Sequence, residues 1–372
     1  MKNIVFLLNC IRFGGAERQT IDLINGLSEK GYKIHLIVLK ESGDSDYLRG
    51  TINKKIDVYD CNIRKYYDHS KLKEIKKYII NKKIEYCFSI GFYSTMYCSR
   101  LSNDIKKISI IHTTELPNLK EKFKMIYYKN MINSMDYRIF VSKNQMLYLE
   151  KTYGISTSNS YVIHNGIDTN YFNYNKVKYY NRNEILNEYK LSKDKVNFCY
   201  SAMLRREKNH LFLIEVIKRL INSGYTNFQF ILVGDGPEYN RIKAKINEYN
   251  LEKFIFMVGK QEKIEKIYSI CDYGIIVSNS VETFSIAALE QLSLGIPMIM
   301  SNIGGANEMV LDGYNGYLFE KDNIEELENI FAKCINDYSG IEQIKNNSTH
   351  IVNSLFTREI MIEKYIQFIN LL

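Results

Sequence analysis

The sequence predicts an α/β protein built from two doubly wound, Rossmann-like domains in series, and three observations lead to this fold class. Short apolar segments alternate with amphipathic segments of helical period along the chain, which is typical of parallel sheets flanked by helices. The length of 372 residues allows two full hydrophobic cores. The alternation is interrupted once, where the polar, tyrosine-rich stretch 169–195 begins, and the two domains are expected to join just before it, around Asn165-Gly-Ile-Asp168.

Eleven apolar segments are predicted to be strands. In the first half these are Asn3–Leu8, Lys33–Leu39, Ile84–Ile90, Ile108–Ile111, Arg138–Val141 and Tyr161–His164. In the second half they are Val196–Ser201, Phe228–Val233, Ile255–Val258, Tyr273–Val277 and Met298–Ser301. The period-3.6 segments predict helices at Glu17–Lys30, His210–Ser223, Tyr239–Tyr249 and Glu262–Cys271.

The predicted domain bounds follow from this order. Residues 1–168 form the first domain, 169–355 form the second, and 356–372 form a final helix. The position of this final helix stays open. It could complete the second domain, or it could cross back onto the first.

Composition indicates a soluble protein of a reducing compartment. Hydrophobic residues make up 45% and charged residues 25%, and no apolar run approaches the ~20 residues that span a bilayer. The N-terminal apolar run lacks a cleavage site and continues into Arg12 and Glu17, so we expect a buried strand rather than a signal peptide. Seven scattered cysteines without a Cys-x-x-Cys pair disfavour disulfides and zinc. We therefore expect a cytoplasmic protein.

Positive charge is concentrated in the first half. Residues 1–170 hold 27 Lys and Arg against 17 Asp and Glu, and two clusters, 71–83 and 120–129, supply much of the excess. Two interpretations stay open: solvated helix faces, or peripheral contact with an anionic membrane or acceptor. No nucleic-acid-binding signature accompanies the charge, so no nucleic acid partner is expected.

Two glycine-containing turns predict phosphate-binding backbone. Gly14 and Gly15 lie between the first strand and the first helix, where a helix N-terminus favours an anion. Gly-x-Gly-x-x-Gly is absent from this turn, which weakens a dehydrogenase interpretation. In the second domain Gly234 lies in Val233-Gly-Asp-Gly-Pro-Glu238, for which ordinary turn chemistry is the alternative.

Charged and titratable side chains are predicted at strand ends. Arg205, Arg206 and Lys208 follow the first strand of the second domain, where cations suit a diphosphate. His112 ends a strand of the first domain. The histidines show no metal-ligand spacing, and Asp44-Ser-Asp46 is expected to be a solvated loop, so no metal site is inferred.

Two carboxylates eight residues apart, Glu282 and Glu290, bracket a predicted helix start. If one helix carried both, they would lie roughly 12 Å apart. That is too far for the acid pair of a glycosidase, which needs about 5–9.5 Å. It suits the two ends of an elongated ligand with an anionic middle at the helix N-terminus, such as a nucleoside-diphosphate sugar. The alternative is a helix with one N-terminal acid and one exposed acid.

Taken together, these segments resemble the retaining family-4 glycosyltransferases, which have the GT-B fold of two Rossmann-like domains facing a cleft. The resemblance spans nearly the whole chain. It is carried by Gly14-Gly15-Ala16-Glu17, His112, Val141-Ser142, Asn165-Gly166-Ile167-Asp168, Arg205 with Lys208-Asn209, Val233-Gly-Asp-Gly-Pro237, Glu282 to Glu290, Gly295-Ile-Pro297 and Gly304-Gly305-Ala-Asn-Glu308.

The resemblance implies a role for each matching position in the second domain. Glu290 would bind the donor's ribose hydroxyls, and Glu282 would hold the transferred sugar. Arg205 and Lys208 would pair with the diphosphate and stabilise its leaving charge. The backbone N–H groups of Phe284, Ser285 and Ile286 would cradle the donor.

In the first domain, Gly15 would let its loop close on the distal phosphate, and His112 would contact the sugar. Such enzymes use no metal or other cofactor. The segment usually reads Glu-Gly-Phe-Gly, so Thr283 and Ser285 add side chains near the donor. Ala202-Met203-Leu204 replaces the frequent Gly-Arg-Leu, which makes Arg205 the phosphate partner expected here.

The resulting hypothesis is a metal-independent, retaining hexosyltransferase. It would move a sugar from a nucleotide-diphosphate sugar to a glycan or lipid-linked glycan in lipopolysaccharide, capsule or other surface-polysaccharide assembly. Two alternatives are a nucleotide-sugar 2-epimerase of the same fold and an inactive member that binds a partner protein. Base, sugar, linkage and acceptor depend on pocket shape and are not specified by the motifs.

Overall fold

A computed structural model describes residues 2–11, 14–41, 46–113, 119–280, 282–337 and 340–372, with backbone only at 46–47 and 119–123. The chain forms two compact units. Unit 1 comprises Met1–Gly166 and Arg358–Leu372, and unit 2 comprises Ile167–Thr357. The chain therefore passes between the units twice, and each unit is described by itself.

Unit 1 contains a seven-stranded parallel sheet in the order β3-β2-β1-β4-β5-β6-β7. Its strands are β1 (Asn3–Leu8), β2 (Lys33–Val38), β3 (Asp57–Asp60), β4 (Tyr86–Ile90), β5 (Lys106–Ile111), β6 (Tyr137–Phe140) and β7 (Ser160–Val162). Its helices before the crossover are α1 (Gly15–Glu29), α2 (Asp46–Gly50), α3 (His69–Asn81), α4 (Phe92–Cys98), α5 (Leu119–Asn133) and α6 (Lys143–Tyr153).

Unit 2 contains a six-stranded parallel sheet in the order β10-β9-β8-β11-β12-β13. Its strands are β8 (Val196–Ser201), β9 (Phe228–Val233), β10 (Ile255–Gly259), β11 (Tyr273–Ile276), β12 (Met298–Ser301) and β13 (Gly316–Phe319). Its helices are α7 (Tyr174–Val177), α8 (Arg182–Glu188), α9 (His210–Asn222), α10 (Tyr239–Glu248), α11 (Ile264–Tyr268), α12 (Ile286–Ser293), α13 (Ala306–Met309), α14 (Ile324–Asn336) and α15 (Ile341–Leu355), with a 3₁₀ helix at Arg206–Lys208.

The last helix, α16 (Arg358–Leu371), packs on α1 within unit 1. Its buried apolar face includes Ile362, Tyr365 and Ile369, which join the core on one side of the sheet. A Cβ at Gly26 of α1 would overlap Ile362, so this glycine permits the close approach of the two helices. Unit 1 therefore obtains part of its core from a segment about 190 residues away in sequence.

The predicted doubly wound architecture is confirmed in both units. Each of the eleven predicted strands is present, and four have the predicted bounds: β1, β8, β9 and β12. Two strands were missed for different reasons. β3 lies at an edge and is largely exposed, so Asp57-Val-Tyr-Asp60 carries no apolar run. β13 is only four residues long and follows the turn at Gly313.

The tyrosine-rich stretch 169–195 contains α7 and α8. Two further expectations are corrected. Predicted helix 262–271 shortens to α11, with its last residues leading directly into β11. Asp44 and Ser45 lie outside the described residues, whereas Asp46 begins α2 rather than lying in a loop.

All seven cysteines are buried thiols, and no helix in the described ranges is long and apolar enough to cross a bilayer.

Candidate functional site

The loops that carry the predicted donor residues lie at one edge of the unit 2 sheet. The strands are parallel, so the segments that follow β8, β9, β11 and β12 all emerge at their carboxyl ends. In doubly wound sheets this edge is where ligands bind. It holds the segments 202–209, 234–238, 277–280, 282–285 and 302–305.

The loops after β8 and β9 are joined by backbone hydrogen bonds. Leu204 N donates to Asp235 O at 3.0 Å, and Glu238 N donates to Leu204 O at 3.0 Å. Gly234 has a φ of +137°, and a Cβ there would overlap the carbonyl oxygen of Ala202. The geometry therefore gives Gly234 a role in close packing of the loop that precedes Arg205, and a donor contact remains a prediction.

Lys208 and Glu282 form the central ion pair of this edge. Lys208 Nζ lies 2.6 Å from Glu282 Oε2, and Ser278 Oγ donates to the same oxygen at 2.9 Å. Glu282 is 9% exposed and Lys208 22% exposed. Charge-assisted hydrogen bonds of this length are strong and directional. The structure thus brings together two residues that were assigned to different parts of the donor, Lys208 to the diphosphate and Glu282 to the transferred sugar.

Arg205 has a different environment from Lys208. Its guanidinium is 53% exposed, and its nearest carboxylate, Glu207, lies 3.9 Å away. Such a long, exposed pair is weak. Arg205 therefore presents its charge to solvent at the same edge, which is compatible with binding an anionic ligand.

The backbone of Glu282 is fixed from the loop after β12. Gly305 N donates to Thr283 O at 2.8 Å. Gly304 has a φ of +55°, and a Cβ there would overlap the carbonyl oxygen of Glu282. The Gly304-Gly305 pair therefore sets how closely the two loops approach.

The helix between the two glutamates begins after Glu282, which lies in the preceding loop. α12 starts at Ile286 after an N-cap at Ser285, whose hydroxyl accepts a bond from Ala288 N at 3.3 Å. Glu282 lies outside the helix, so the 12 Å helical spacing does not apply to the pair. Ser285 is explained locally as a helix cap. Phe284 and Ile286 are buried beside it.

In unit 1, the three predicted residues Gly14, Gly15 and His112 follow strands of one sheet, the glycines after β1 and the histidine after β5. Gly14 precedes α1 and Gly15 begins it, while Arg12 and Phe13 of the same turn lie outside the described residues. His112 directly follows β5. Burial lowers the pKa of His112 to about 4, so the imidazole is neutral at pH 7.

A buried glutamine fixes the backbone on both sides of His112. Gln145 Nε2 donates to Ile111 O at 2.8 Å and to Thr113 O at 3.0 Å, and its Oε1 accepts from Val141 N at 2.9 Å. Gln145 is fully buried in the first turn of α6. No sequence pattern identified it, because a lone glutamine after Val141-Ser142 has no distinguishing spacing.

The Asn165-Gly166 motif is held by a second glutamine. Gln19 Nε2 donates to Gly166 O at 2.8 Å, and Gly166 N donates to Gln19 Oε1 at 3.1 Å. Gln19 is 3% exposed on α1. Gly166, the last residue of the first segment of unit 1, is therefore hydrogen-bonded to α1, the helix that begins at Gly15.

Two family descriptions match consecutive halves of the chain. Residues 13–171 match Glycosyltransferase Family 4, and residues 181–350 match Glycosyl transferases group 1. The chain belongs to the family-4 glycosyltransferases with the GT-B fold.

Similar proteins include several glycosyltransferases. An uncharacterised glycosyltransferase of Methanocaldococcus jannaschii is 28% identical over 257 residues, covering 68% of this chain and 64% of that protein. UDP-Gal:alpha-D-GlcNAc-diphosphoundecaprenol alpha-1,3-galactosyltransferase of Escherichia coli is 30% identical over 165 residues, covering 44% of this chain and 42% of that enzyme. These matches thus span less than two thirds of the relatives' own lengths.

A solved structure shows the same fold over the full length. HepE of Anabaena in complex with UDP matches with a TM-score of 0.85 and 19% identity, covering 100% of both chains. At this identity the likeness concerns the fold alone. It agrees with the two doubly wound sheets of this glycosyltransferase.

Glu290 of the glycosyltransferase is held by a residue that the sequence did not single out. Tyr268 Oη donates to Glu290 Oε2 at 3.1 Å, and both residues are almost fully buried. Tyr268 lay in a predicted helix as one of several apolar positions, so nothing distinguished it from a core residue.

Within the described ranges, no group of three His, Cys, Asp or Glu could hold a metal ion. Metal independence stays a prediction.

Proposed function

We propose that the protein is a retaining glycosyltransferase that moves a hexose from a nucleoside-diphosphate sugar to a glycan or lipid-linked glycan in cell-surface polysaccharide assembly. The supporting observation is the Lys208–Glu282 ion pair beside the start of α12, the helix that carries Glu290. One edge of one sheet thus offers cations, a helix N-terminus and two carboxylates. This set is complementary to an elongated donor with an anionic centre.

Each part of the donor has a proposed partner. The Glu290 carboxylate accepts hydrogen bonds from the ribose hydroxyls. Backbone N–H groups at Phe284, Ser285 and Ile286 face the diphosphate, whose growing negative charge Lys208 and Arg205 stabilise as it leaves. Glu282 accepts hydrogen bonds from hydroxyls of the transferred sugar. The position of its carboxylate is fixed by the hydrogen bonds from Lys208 and Ser278.

Unit 1 is proposed to bind the acceptor, on the basis of a partly exposed aromatic cluster formed by Tyr66, Tyr67 and Tyr127 with Arg100. Tyr66 and Tyr127 are 51% and 47% exposed. Arg100 donates to Tyr127 Oη at 3.3 Å and lies 5.0 Å from the centre of the Tyr67 ring. Aromatic rings offer an apolar face with a hydroxyl at the edge, which suits sugars, and the arginine suits a phosphate or carboxylate.

A lipid-linked acceptor also accounts for the exposed apolar residues of the basic half. Ile126 of α5 is 65% exposed beside Tyr127, and Ile80 of α3 is 72% exposed. Both helices belong to the lysine-rich clusters. Exposed apolar side chains among cations are typical of proteins that lie on an anionic membrane surface. We therefore propose a cytoplasmic enzyme that associates peripherally with the inner face of the membrane, and the E. coli relative is named for a diphosphoundecaprenol acceptor.

The test is a transfer assay with defined donors. Purified protein is incubated with UDP-, GDP- and ADP-sugars and a synthetic GlcNAc-diphospholipid, while nucleoside diphosphate release and sugar incorporation are measured. Glu290→Ala and Lys208→Ala should abolish incorporation, and NMR of the product should show the anomeric configuration of the donor. Unchanged donor turnover in both variants would contradict the proposal.

Two other outcomes distinguish the alternatives. A donor isomer formed at C2 without acceptor would assign a nucleotide-sugar epimerase. A melting temperature that no nucleotide raises would assign a non-enzymatic protein, because ligand binding at 100 times Kd stabilises by about 2.7 kcal/mol.

A further inference from the structure

We propose that Tyr268 is a positioning residue for nucleotide recognition, whose hydroxyl orients the Glu290 carboxylate toward the ribose of the donor. The inference rests on the proposed function, in which Glu290 accepts hydrogen bonds from ribose hydroxyls. It adds a residue outside the family motifs, and it predicts which part of the nucleotide that residue affects.

The phenol can only act as a donor to the carboxylate. Burial, and next the charge of Glu290, raise the pKa of Tyr268 well above its ordinary value. The hydroxyl is therefore protonated at every physiological pH. Its one proton is directed to Glu290 Oε2 at 3.1 Å, and a bond to a charged acceptor is stronger than one between neutral groups.

The short helix that carries Tyr268 is itself anchored. On α11, Glu265 accepts hydrogen bonds from Tyr171 at 3.1 Å and from Tyr180 at 3.2 Å. Lys266 of the same helix pairs with Glu188 at 2.7 Å. These contacts with the 171–188 segment hold α11 in place, so the Tyr268 hydroxyl has a defined position relative to α12.

The bond from Tyr268 is compatible with ligand binding. An ionised carboxylate has about four acceptor positions on its two oxygens. One bond from Tyr268 fixes rotation of the carboxylate and leaves acceptor capacity for two ribose hydroxyls. Fixing the rotation before binding reduces the conformational entropy lost when the nucleotide binds.

The test compares nucleotides that differ only in the ribose. The wild-type protein and Tyr268→Phe are titrated calorimetrically with UDP, GDP and ADP and with the 2′,3′-dideoxy form of each. Wild-type protein should prefer the ribonucleotide. Tyr268→Phe should lower ribonucleotide affinity about tenfold while leaving the deoxynucleotide affinities nearly unchanged, so the ratio of the two affinities falls.

A purely structural role for Tyr268 would lower both affinities equally and leave the ratio unchanged, and that result would overturn the inference while leaving the proposed function intact. A wild-type ratio near one would instead show that Glu290 does not bind ribose, and would overturn both. The two failures are therefore distinguishable in a single set of titrations.

Two further variants guard against a folding defect. Tyr273→Phe is the matched control, because Tyr273 is also a buried tyrosine of unit 2 but its hydroxyl interacts with Cys334. It should leave the ratio unchanged. If Tyr268→Phe does not fold, Glu265→Ala removes the acceptor of the Tyr171 and Tyr180 hydrogen bonds that hold α11 and should lower the same ratio by a smaller factor, whereas an unchanged ratio would contradict the proposal.

Discussion

Lys208 Nζ lies 2.6 Å from Glu282 Oε2, although the two residues are 74 positions apart in sequence. The pair joins the loop after β8 to the loop after β11, and Ser278 binds the same carboxylate oxygen. A cation proposed for the leaving diphosphate and an acid proposed for the transferred sugar are thus one unit. Changing either residue should alter both functions.

Lys208→Met keeps the apolar stem but removes the ammonium. We expect donor turnover to fall about 100-fold and the free energy of unfolding to fall by about 1–2 kcal/mol, because the buried Glu282 carboxylate loses its countercharge. Steady-state kinetics and urea unfolding measure the two effects. In Lys208→Met/Glu282→Gln, stability should partly recover while turnover does not.

Lys345→Met is the matched control for this change. Lys345 is also 22% exposed and pairs with Glu342 at 3.1 Å, on the surface of α15. Turnover should be unaffected and stability should change by less than about 0.5 kcal/mol. Equal effects of the two substitutions would show that the Lys208 pair has no special role.

Gly304→Ala should displace the Glu282 backbone. The glycine has a φ of +55°, and its Cβ would overlap the Glu282 carbonyl oxygen. Gly313→Ala is the control, because its φ is +73° but nothing lies within 4 Å of the added carbon. Both variants incur the cost of a left-handed alanine, about 1 kcal/mol. Only Gly304→Ala should also reduce donor turnover, and equal kinetics in the two variants would contradict this.

Gln145→Glu tests the glutamine that brackets His112. The ionised side chain can still accept from Val141 N but cannot donate to the carbonyls of Ile111 and Thr113. We expect about 2–3 kcal/mol lower stability, because two buried carbonyls lose a donor and a charge becomes buried. Gln145→Leu should lower stability less, since it adds no charge. Urea unfolding of both variants measures this, and a Gln145→Glu variant as stable as wild type would count against it.

His210 should make stability dependent on acid pH. Burial, with a smaller effect of Lys208, lowers its pKa to about 4 from an ordinary 6.5. Between these values the unfolded chain binds a proton that the folded chain does not, so the free energy of unfolding falls as pH is lowered, by about 3 kcal/mol in full.

His210→Phe should remove the part of the pH dependence of the free energy of unfolding that His210 causes. The Phe ring can retain the stacking on Tyr200, whose ring centre lies 4.5 Å from that of His210. Neither His210 nitrogen has a hydrogen-bond partner among the described residues, so stability at pH 7 should not fall. Urea unfolding at neutral and acid pH measures the slope, and an unchanged slope in the variant would rule out this role.

Membrane contact should depend on the exposed apolar residues of α5. Ile126→Ser with Tyr127→Ser should weaken binding to phosphatidylglycerol vesicles several-fold, because apolar area is lost from the contact. Leu371→Ser, at a residue 71% exposed on α16, is the control. Vesicle flotation measures binding, and wild-type protein that does not float with anionic vesicles would exclude the proposed contact.

The sequence predicted those parts of the molecule in which a local pattern is sufficient. Eleven strands could be predicted from the sequence because buried strands of a parallel sheet are nearly continuous apolar runs, as in Phe228–Val233. The edge strand Asp57–Asp60 was missed because its side chains are exposed or half-buried and form no such run. Motif order and spacing identified the family, which the comparisons confirmed.

The tertiary structure decided which side chains touch. Spacing along the chain left open whether Glu282 and Glu290 share one helix, whereas in the structure α12 begins only after the Ser285 cap and Glu282 pairs with Lys208. Tyr268 and Gln145 carry no sequence signature, because their importance comes from partners 22 and 34 residues away. Periodicity and motifs are local properties of a chain, so the sequence alone determined the elements and the family. Hydrogen bonds between loops depend on the packing of whole strands, and only the folded sheet determined the geometry of the site.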